Sequence, residues 1–145
     1  MRARDLLADY PVVTLETPVL QAARLLAEQD LPGLIVKNDD QLTILPGTEA
    51  LRLAVPRYIM DDPALARVVD EAHADEFLRA LGSRTVREVL PRERRELPVT
   101  DPDATVLELA ALMARTRSPL VAIVDKGRLL GAVTLQALLD RMLGT

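Results

Sequence analysis

Ser118-Pro119-Leu120-Val121-Ala122-Ile123-Val124-Asp125-Lys126-Gly127-Arg128-Leu129-Leu130-Gly131-Ala132-Val133-Thr134 decides the reading of this chain. The apolar run Leu120 to Val124 is too short for a membrane span and suits a strand buried on both faces. Asp125-Lys126-Gly127-Arg128 supplies the polar, glycine-containing turn of a hairpin. Leu129 to Thr134 is then the returning strand. Downstream, Leu135, Leu138, Leu139, Met142 and Leu143 recur at helical spacing, and Gly144 is a stop. Upstream, Thr105-Val106-Leu107-Glu108 reads as a capping box, and Val106, Leu109, Ala110 and Met113 share a face of the helix it opens. Pro98-Val99-Thr100 precedes that helix as a short strand. The segment reads β-α-β-β-α.

The same unit occurs earlier. Residues 11–51 slide onto residues 98–138 without a gap, with about eleven identities over roughly forty positions. Pro11-Val12 meets Pro98-Val99, Ala23, Leu25 and Ala27 meet Ala110, Leu112 and Ala114, Pro32 meets Pro119, and Ala50-Leu51 meets Ala137-Leu138. In this copy Thr17 is the expected helix cap, with Pro18 at the first helical position. Val19, Ala22, Ala23 and Leu26 form the stripe, Leu34-Ile35-Val36 is the buried strand, and Asn38-Asp39-Asp40-Gln41 is the hairpin turn. A short helix precedes each copy, over residues 2–7 and 86–90, the second opened by the capping box Thr85-Val86-Arg87-Glu88. Between the copies, Asp62-Pro63 starts a helical stretch with Leu65, Val68, Val69 and Ala72 on one face, continuing past Phe77, Leu78 and Leu81 to Gly82. The expected organisation is repeat 1 with its leading helix over 1–58, a helical segment over 59–84 and repeat 2 over 85–145. A single unit of about 55 residues is marginal alone, so the two are expected to pack together.

Composition narrows the functions. Aromatics make up 2% of the 145 residues, which leaves little for stacking on bases or sugars, and the net charge of −4 argues against a phosphate-tracking nucleic-acid binder. Without cysteine there is no disulfide, thiol nucleophile or thiolate metal site. His73 is the single histidine, which excludes a His-based metal cluster. No stretch approaches the roughly 18 apolar residues of a membrane span, and Met1-Arg2-Ala3-Arg4-Asp5 leads into no signal-type apolar run, so a cytoplasmic protein is expected. Asp61, Asp62, Asp70, Glu71, Asp75 and Glu76 read as a solvated face rather than an acid–base pair, and Arg92-Glu93-Arg94-Arg95-Glu96 as a solvated loop. No phosphate-cradling loop or nucleophile–base set is present, so an enzyme is not expected.

The doubled unit resembles a pair of CBS domains, a Bateman module. Ser118 to Asp125 resembles the family's "lPVvD" strand, and Leu129 to Thr134 its "lvGivT" strand. In the first copy Leu31-Pro32-Gly33-Leu34-Ile35-Val36 keeps the first signature, while Leu42-Thr43-Ile44-Leu45-Pro46-Gly47-Thr48 departs from the second. The resemblance implies an α+β fold of two β-α-β-β-α repeats with pseudo-two-fold symmetry, small mixed sheets packed together and helices outside. It implies a regulatory module that binds AMP, ADP, ATP or S-adenosylmethionine in clefts between the repeats, pairs into a flat homodimer and signals to a partner enzyme or transporter. Carried over by position, the second-copy site is Thr100, Asp101, Ser118, Pro119, Leu120 and Thr134, with Arg115 and Arg117 flanking it. The first-copy site is Thr14, Leu31, Pro32, Gly33 and Thr48. Thr134 also has a plain reading as a strand-to-helix cap, and the two arginines as a solvated helix end. Nucleotide-binding members carry an aspartate for the ribose three residues after the strand-ending Thr or Ser. The gap-free alignment puts Ala137 and Ala50 there, which favours the alternative of a ligand-free dimerisation or docking module.

Overall fold

The computed structural model describes residues 1–54, 57–68, 75, 76, 79, 82–90 and 96–144. The chain forms two compact units. One comprises Met1–Pro11 with Glu96–Thr145, the other Val12–Arg95. Each is built on a three-stranded mixed sheet with helices, an α+β arrangement.

The unit holding the first repeat contains β1 (Val12–Thr14), α2 (Val19–Gln29), β2 (Gly33–Asn38), β3 (Gln41–Pro46), α3 (Gly47–Ala54) and α4 (Arg57–Asp61). β1 runs parallel to β2, and β2 pairs antiparallel with β3. Its core comprises Val13, Leu15, Ala22, Leu34, Val36, Leu45 and Val86, all under a tenth exposed. Pro63–Val68 follows α4 as a 3-10 helix with no buried residue, and Val68 is exposed. The expected apolar face there therefore buries nothing at Leu65 or Val68. Its continuation through Val69, Ala72, Phe77, Leu78 and Leu81 lies outside the described residues, as do Asp70, Glu71, His73 and Arg92 to Arg95.

The unit holding the second repeat repeats the plan with β4 (Val99–Thr100), α6 (Val106–Thr116), β5 (Leu120–Asp125), β6 (Arg128–Thr134) and α7 (Leu135–Leu143). β4 runs parallel to β5, and β5 pairs antiparallel with β6. Its core comprises Ala3, Ala104, Leu109, Met113, Val121, Ile123, Val133 and Leu138. Lys126 and Gly127 both take positive φ (54° and 78°) in the two-residue turn, and that geometry suits the right-handed twist of a hairpin.

The leading helices are exchanged. α1 (Ala3–Leu6) packs on the second repeat, and α5 (Val86–Val89) on the first. The two anchors use corresponding atoms. The Ala3 N–H donates to the Ala104 carbonyl and that of Arg4 to the Pro102 carbonyl; likewise the Val86 N–H donates to Thr17 and that of Arg87 to Leu15. Arg4 pairs with Asp103, and Arg87 with Glu16. Each helix is closed by the carboxylate of its third residue: Asp5 accepts from the Arg2 N–H at 2.9 Å and Glu88 from the Thr85 N–H at 3.4 Å.

Two local expectations change. Thr17 does not cap α2. Its Oγ1 accepts from the Thr14 N–H at 3.0 Å, Pro18 takes the cap position, and the Val19 N–H goes to the Arg84 carbonyl. A helix end satisfied by a neighbouring backbone does not need a capping side chain. The repeats also do not align without a gap. β2 and β3 pair residue for residue from Gly33–Pro46 to Asn38–Gln41. In β5–β6 the register shifts: Ile123 pairs with Gly131 but Val124 with Leu129, leaving Leu130 as an extra, bulged residue. From that point Gly131 corresponds to Thr43 and Thr134 to Pro46.

Gly33 and Thr43 expose this difference to test. A Cβ on Gly33 would sit 2.8 Å from the Leu45 carbonyl oxygen. Gly33→Ala should therefore destabilise by about 1–3 kcal/mol through overpacking. The Thr43 hydroxyl is buried with no hydrogen-bond partner. Thr43→Val keeps the shape and removes that unmet group, so it should stabilise by about 1 kcal/mol. Urea unfolding of both variants reads the opposite signs.

Candidate functional site

The second-repeat candidates fall into two groups. Leu120 pairs with Thr134, and the Leu135 N–H donates to the Pro119 carbonyl at 2.8 Å. Ser118, Pro119, Leu120 and Thr134 therefore meet where β5 begins and α7 starts. Thr100 pairs with Ile123, three residues further along β5, and Asp101 follows it. At 3.3 Å per residue the groups are about 10 Å apart along the strand.

Most of the polar atoms in these groups are already engaged. Ser118 is 8% exposed; its hydroxyl donates to the Leu120 carbonyl at 2.8 Å and accepts from the Leu120 N–H at 3.2 Å. It closes the turn from α6 into β5, after Arg117 has reversed the chain at φ 54°. Thr134 Oγ1 accepts from the Ala137 N–H at 3.1 Å, so the plain reading as a strand-to-helix cap holds. Asp101 Oδ1 accepts from the Asp103 N–H at 2.8 Å, an Asx turn that tightens the loop into α6. Thr100 is half-buried and lines a groove of ≈ 330 Å³ with Val99, Leu112 and Arg115.

In the first repeat Thr14 stands at the end of β1 opposite Lys37, and its N–H is held by Thr17. Leu31, Pro32 and Gly33 lead into β2 at the other end, where the Gly47 N–H donates to the Pro32 carbonyl at 3.3 Å. That bond corresponds to Leu135 with Pro119, so α3 and α7 start at equivalent places. Thr48 accordingly lies exposed in the first turn of α3, and the strand-ending counterpart of Thr134 is Pro46. Three residues past the strand end stands Glu49, not Ala50. The Glu49 side chain is 24% exposed and its Oε2 meets Arg52 Nη1 at 3.3 Å. The missing bulge residue moves a carboxylate into the position where the gap-free alignment has alanine.

The sequence reading also overlooked a surface. Only Leu138 of the α7 apolar residues is buried; Leu135, Leu139, Met142 and Leu143 are 40–72% exposed. Leu135, Leu139 and Met142, with Ala110, Ala114, Pro119 and Arg117, line an apolar groove of ≈ 480 Å³ between α6 and α7. The helical spacing disclosed the stripe but not whether anything covers it. Among the described residues no cluster of His, Asp or Glu could hold a metal ion, and no helix is long and apolar enough to cross a membrane.

The CBS domain family model matches residues 86–144. A CBS domain-containing protein of unknown function from Kribbella flavida is 43% identical, with 99% of each chain covered and a TM-score of 0.87. The CBS domain of a CBS domain-containing membrane protein from Sphaerobacter thermophilus is 20% identical over 97% of this chain and 86% of that one, with a TM-score of 0.71. CBSX2 of Arabidopsis thaliana, crystallised in complex with AMP, is 20% identical over 99% of this chain and 96% of that one, with a TM-score of 0.65. No curated protein matches. The repeated β-α-β-β-α unit, the strand-to-helix geometry at both strand ends and the full-length likeness at 43% identity agree: this chain belongs to the CBS-domain family, as a tandem CBS pair.

Proposed function

We propose that this CBS pair is a regulatory, non-catalytic module that binds an adenosine-containing ligand through its first repeat and signals to a partner protein. The carrying observation is Glu49, which the β3 register puts three residues past the strand end. The family resemblance implies an aspartate for the ribose hydroxyls at that position, and Glu49 supplies the same carboxylate one methylene further out. The second repeat has Ala137 there, and its Ser118 and Thr134 hydroxyls are engaged within the fold. Binding of AMP by CBSX2, a protein of the same fold, is compatible with this reading. Melting curves with AMP, ADP, ATP and S-adenosylmethionine test it. Ligand at a hundredfold over its dissociation constant stabilises by about 2.7 kcal/mol, a shift of several degrees at this size. Glu49→Gln should weaken binding by about tenfold to a hundredfold. Flat curves across the set at millimolar ligand would sink the proposal.

The exposed face of α7 favours a second reading, a ligand-free homodimer in which this face meets a second copy of the chain. Leu135, Leu139 and Met142 are large and exposed, and the neighbouring groove walls, Ala110 and Ala114, are small, so one copy's ridge suits the other's groove. Sedimentation should then give a dimer. Leu139→Glu, which alters a 40% exposed position, should shift the protein to monomer and leave its folded circular-dichroism spectrum unchanged. A wild-type monomer at high concentration would rule out this arrangement.

A further inference from the structure

Both strand-to-helix loops are held in the same unusual way. In each unit a guanidinium from the exchanged leading helix reaches the carboxylate of the loop that follows the first strand: Arg4 to Asp103, and Arg87 to Glu16. On the second repeat Arg2 adds to the hold, its Nη1 donating to the Asp103 carbonyl at 2.7 Å. Asp103 belongs to the turn that Asp101 closes, immediately after Thr100. The rest of the anchor is mostly backbone. Ala3 and Arg4 donate to Ala104 and Pro102, while Ala8 and Ala132 exchange both of their hydrogen bonds, at 3.0 and 3.1 Å. Gly131 makes this approach possible, because a Cβ there would collide with the Ala8 carbonyl oxygen. Side-chain burial contributes little: Ala3 is the one fully buried residue of the segment, with Leu6 and Leu7 partly buried.

We propose that Met1–Pro11 is a releasable strap on the second CBS repeat, latched electrostatically through Arg2 and Arg4 at Asp103. It leaves as one piece while the repeat stays folded. Its release unpairs Ala132 in β6 and frees the Thr100–Asp103 turn, so the latch governs the loop that carries two of the candidate site residues. Segments held by backbone bonds and exposed charges, with little apolar burial, open below the free energy of global unfolding. The pair joins side chains that are 55% and 69% exposed, so salt screens it.

Amide hydrogen exchange of the whole protein, read residue by residue by NMR, tests this directly. Exposed ion pairs contribute about twofold to fivefold in an opening equilibrium. Asp103→Asn should therefore lower the protection of the Ala3, Arg4, Ala8 and Ala132 amides together by about that factor. It should leave Val86, Arg87 and Leu90 unchanged. Glu16→Gln provides the mirror experiment: the Val86, Arg87 and Leu90 amides should lose protection and the strap should not. Raising NaCl to 1 M on the wild type should lower the protection of both sets of amides, because the Arg87–Glu16 pair is as exposed as Arg4–Asp103. Unchanged strap protection in Asp103→Asn and in salt overturns the latch. Loss at Ala3 and Arg4 without loss at Ala8 and Ala132 overturns release as one piece, since it describes fraying instead.

Discussion

The chain's use of its own leading helices is the constraint on which the rest depends. The second repeat is not finished by its own sequence. Ala3 fills a fully buried place in its core, and the Ala3 and Arg4 N–H groups satisfy the Ala104 and Pro102 carbonyls at the entry to α6. The first repeat is completed in the same way by Val86, bound to Thr17 and Leu15. Buried backbone groups must be paired, so a repeat cut out at the boundaries of the β-α-β-β-α pattern would lose donors to these carbonyls as well as an apolar side chain. Each repeat is therefore at its most stable with its leading segment bound, a gain that matters in so short a unit.

Within that frame one residue separates the two copies. The bulge at Leu130 lengthens β6 by one position relative to β3. A bulge re-aims every side chain beyond it on the strand. Here it sets which residues open the following helix. In the second repeat Thr134 caps α7 and Ala137 receives that cap. In the first, Pro46 ends the strand without a capping hydroxyl and Glu49 takes the place of Ala137. Two near-identical folds thus present different chemistry at the same corner: one satisfied internally and apolar outside, the other bearing a carboxylate. The same offset puts Thr43 at the counterpart of Gly131, where its hydroxyl is left without a partner.

Local signals carried the fold a long way. The hairpin turns at Asp39-Asp40 and Lys126-Gly127, the Thr105 cap and the Gly144 stop all act over four residues or fewer, and each was readable from residue type. The doubled unit followed from them. Three features were out of reach for physical reasons. A bulge changes no residue's polarity class, and an apolar strand such as Leu129 to Val133 aligns equally well with or without one. The exchange of α1 and α5 rests on backbone bonds between residues as far apart as Ala3 and Ala104, which leave no composition signature. The burial of an amphipathic helix depends on what covers it, so the α7 stripe marked a contact face without saying that only Leu138 is covered within the chain.

These features divide the tasks of the pair. A polar atom that already holds the fold can serve a ligand only with the donor or lone pair it has left. In the second repeat Ser118, Thr134 and Asp101 each hold a turn or a helix start, so diverting any of them to a ligand would leave a backbone N–H unmet, at about 1–3 kcal/mol each when buried. Glu49 is different. Its partner, Arg52, is 58% exposed, and a surface ion pair of this kind contributes about 1 kcal/mol or less. Exchanging that contact for hydrogen bonds to a ligand costs the fold little. The repeat whose sequence signature is better preserved is therefore the one less free to bind, because its signature residues are the ones that build it.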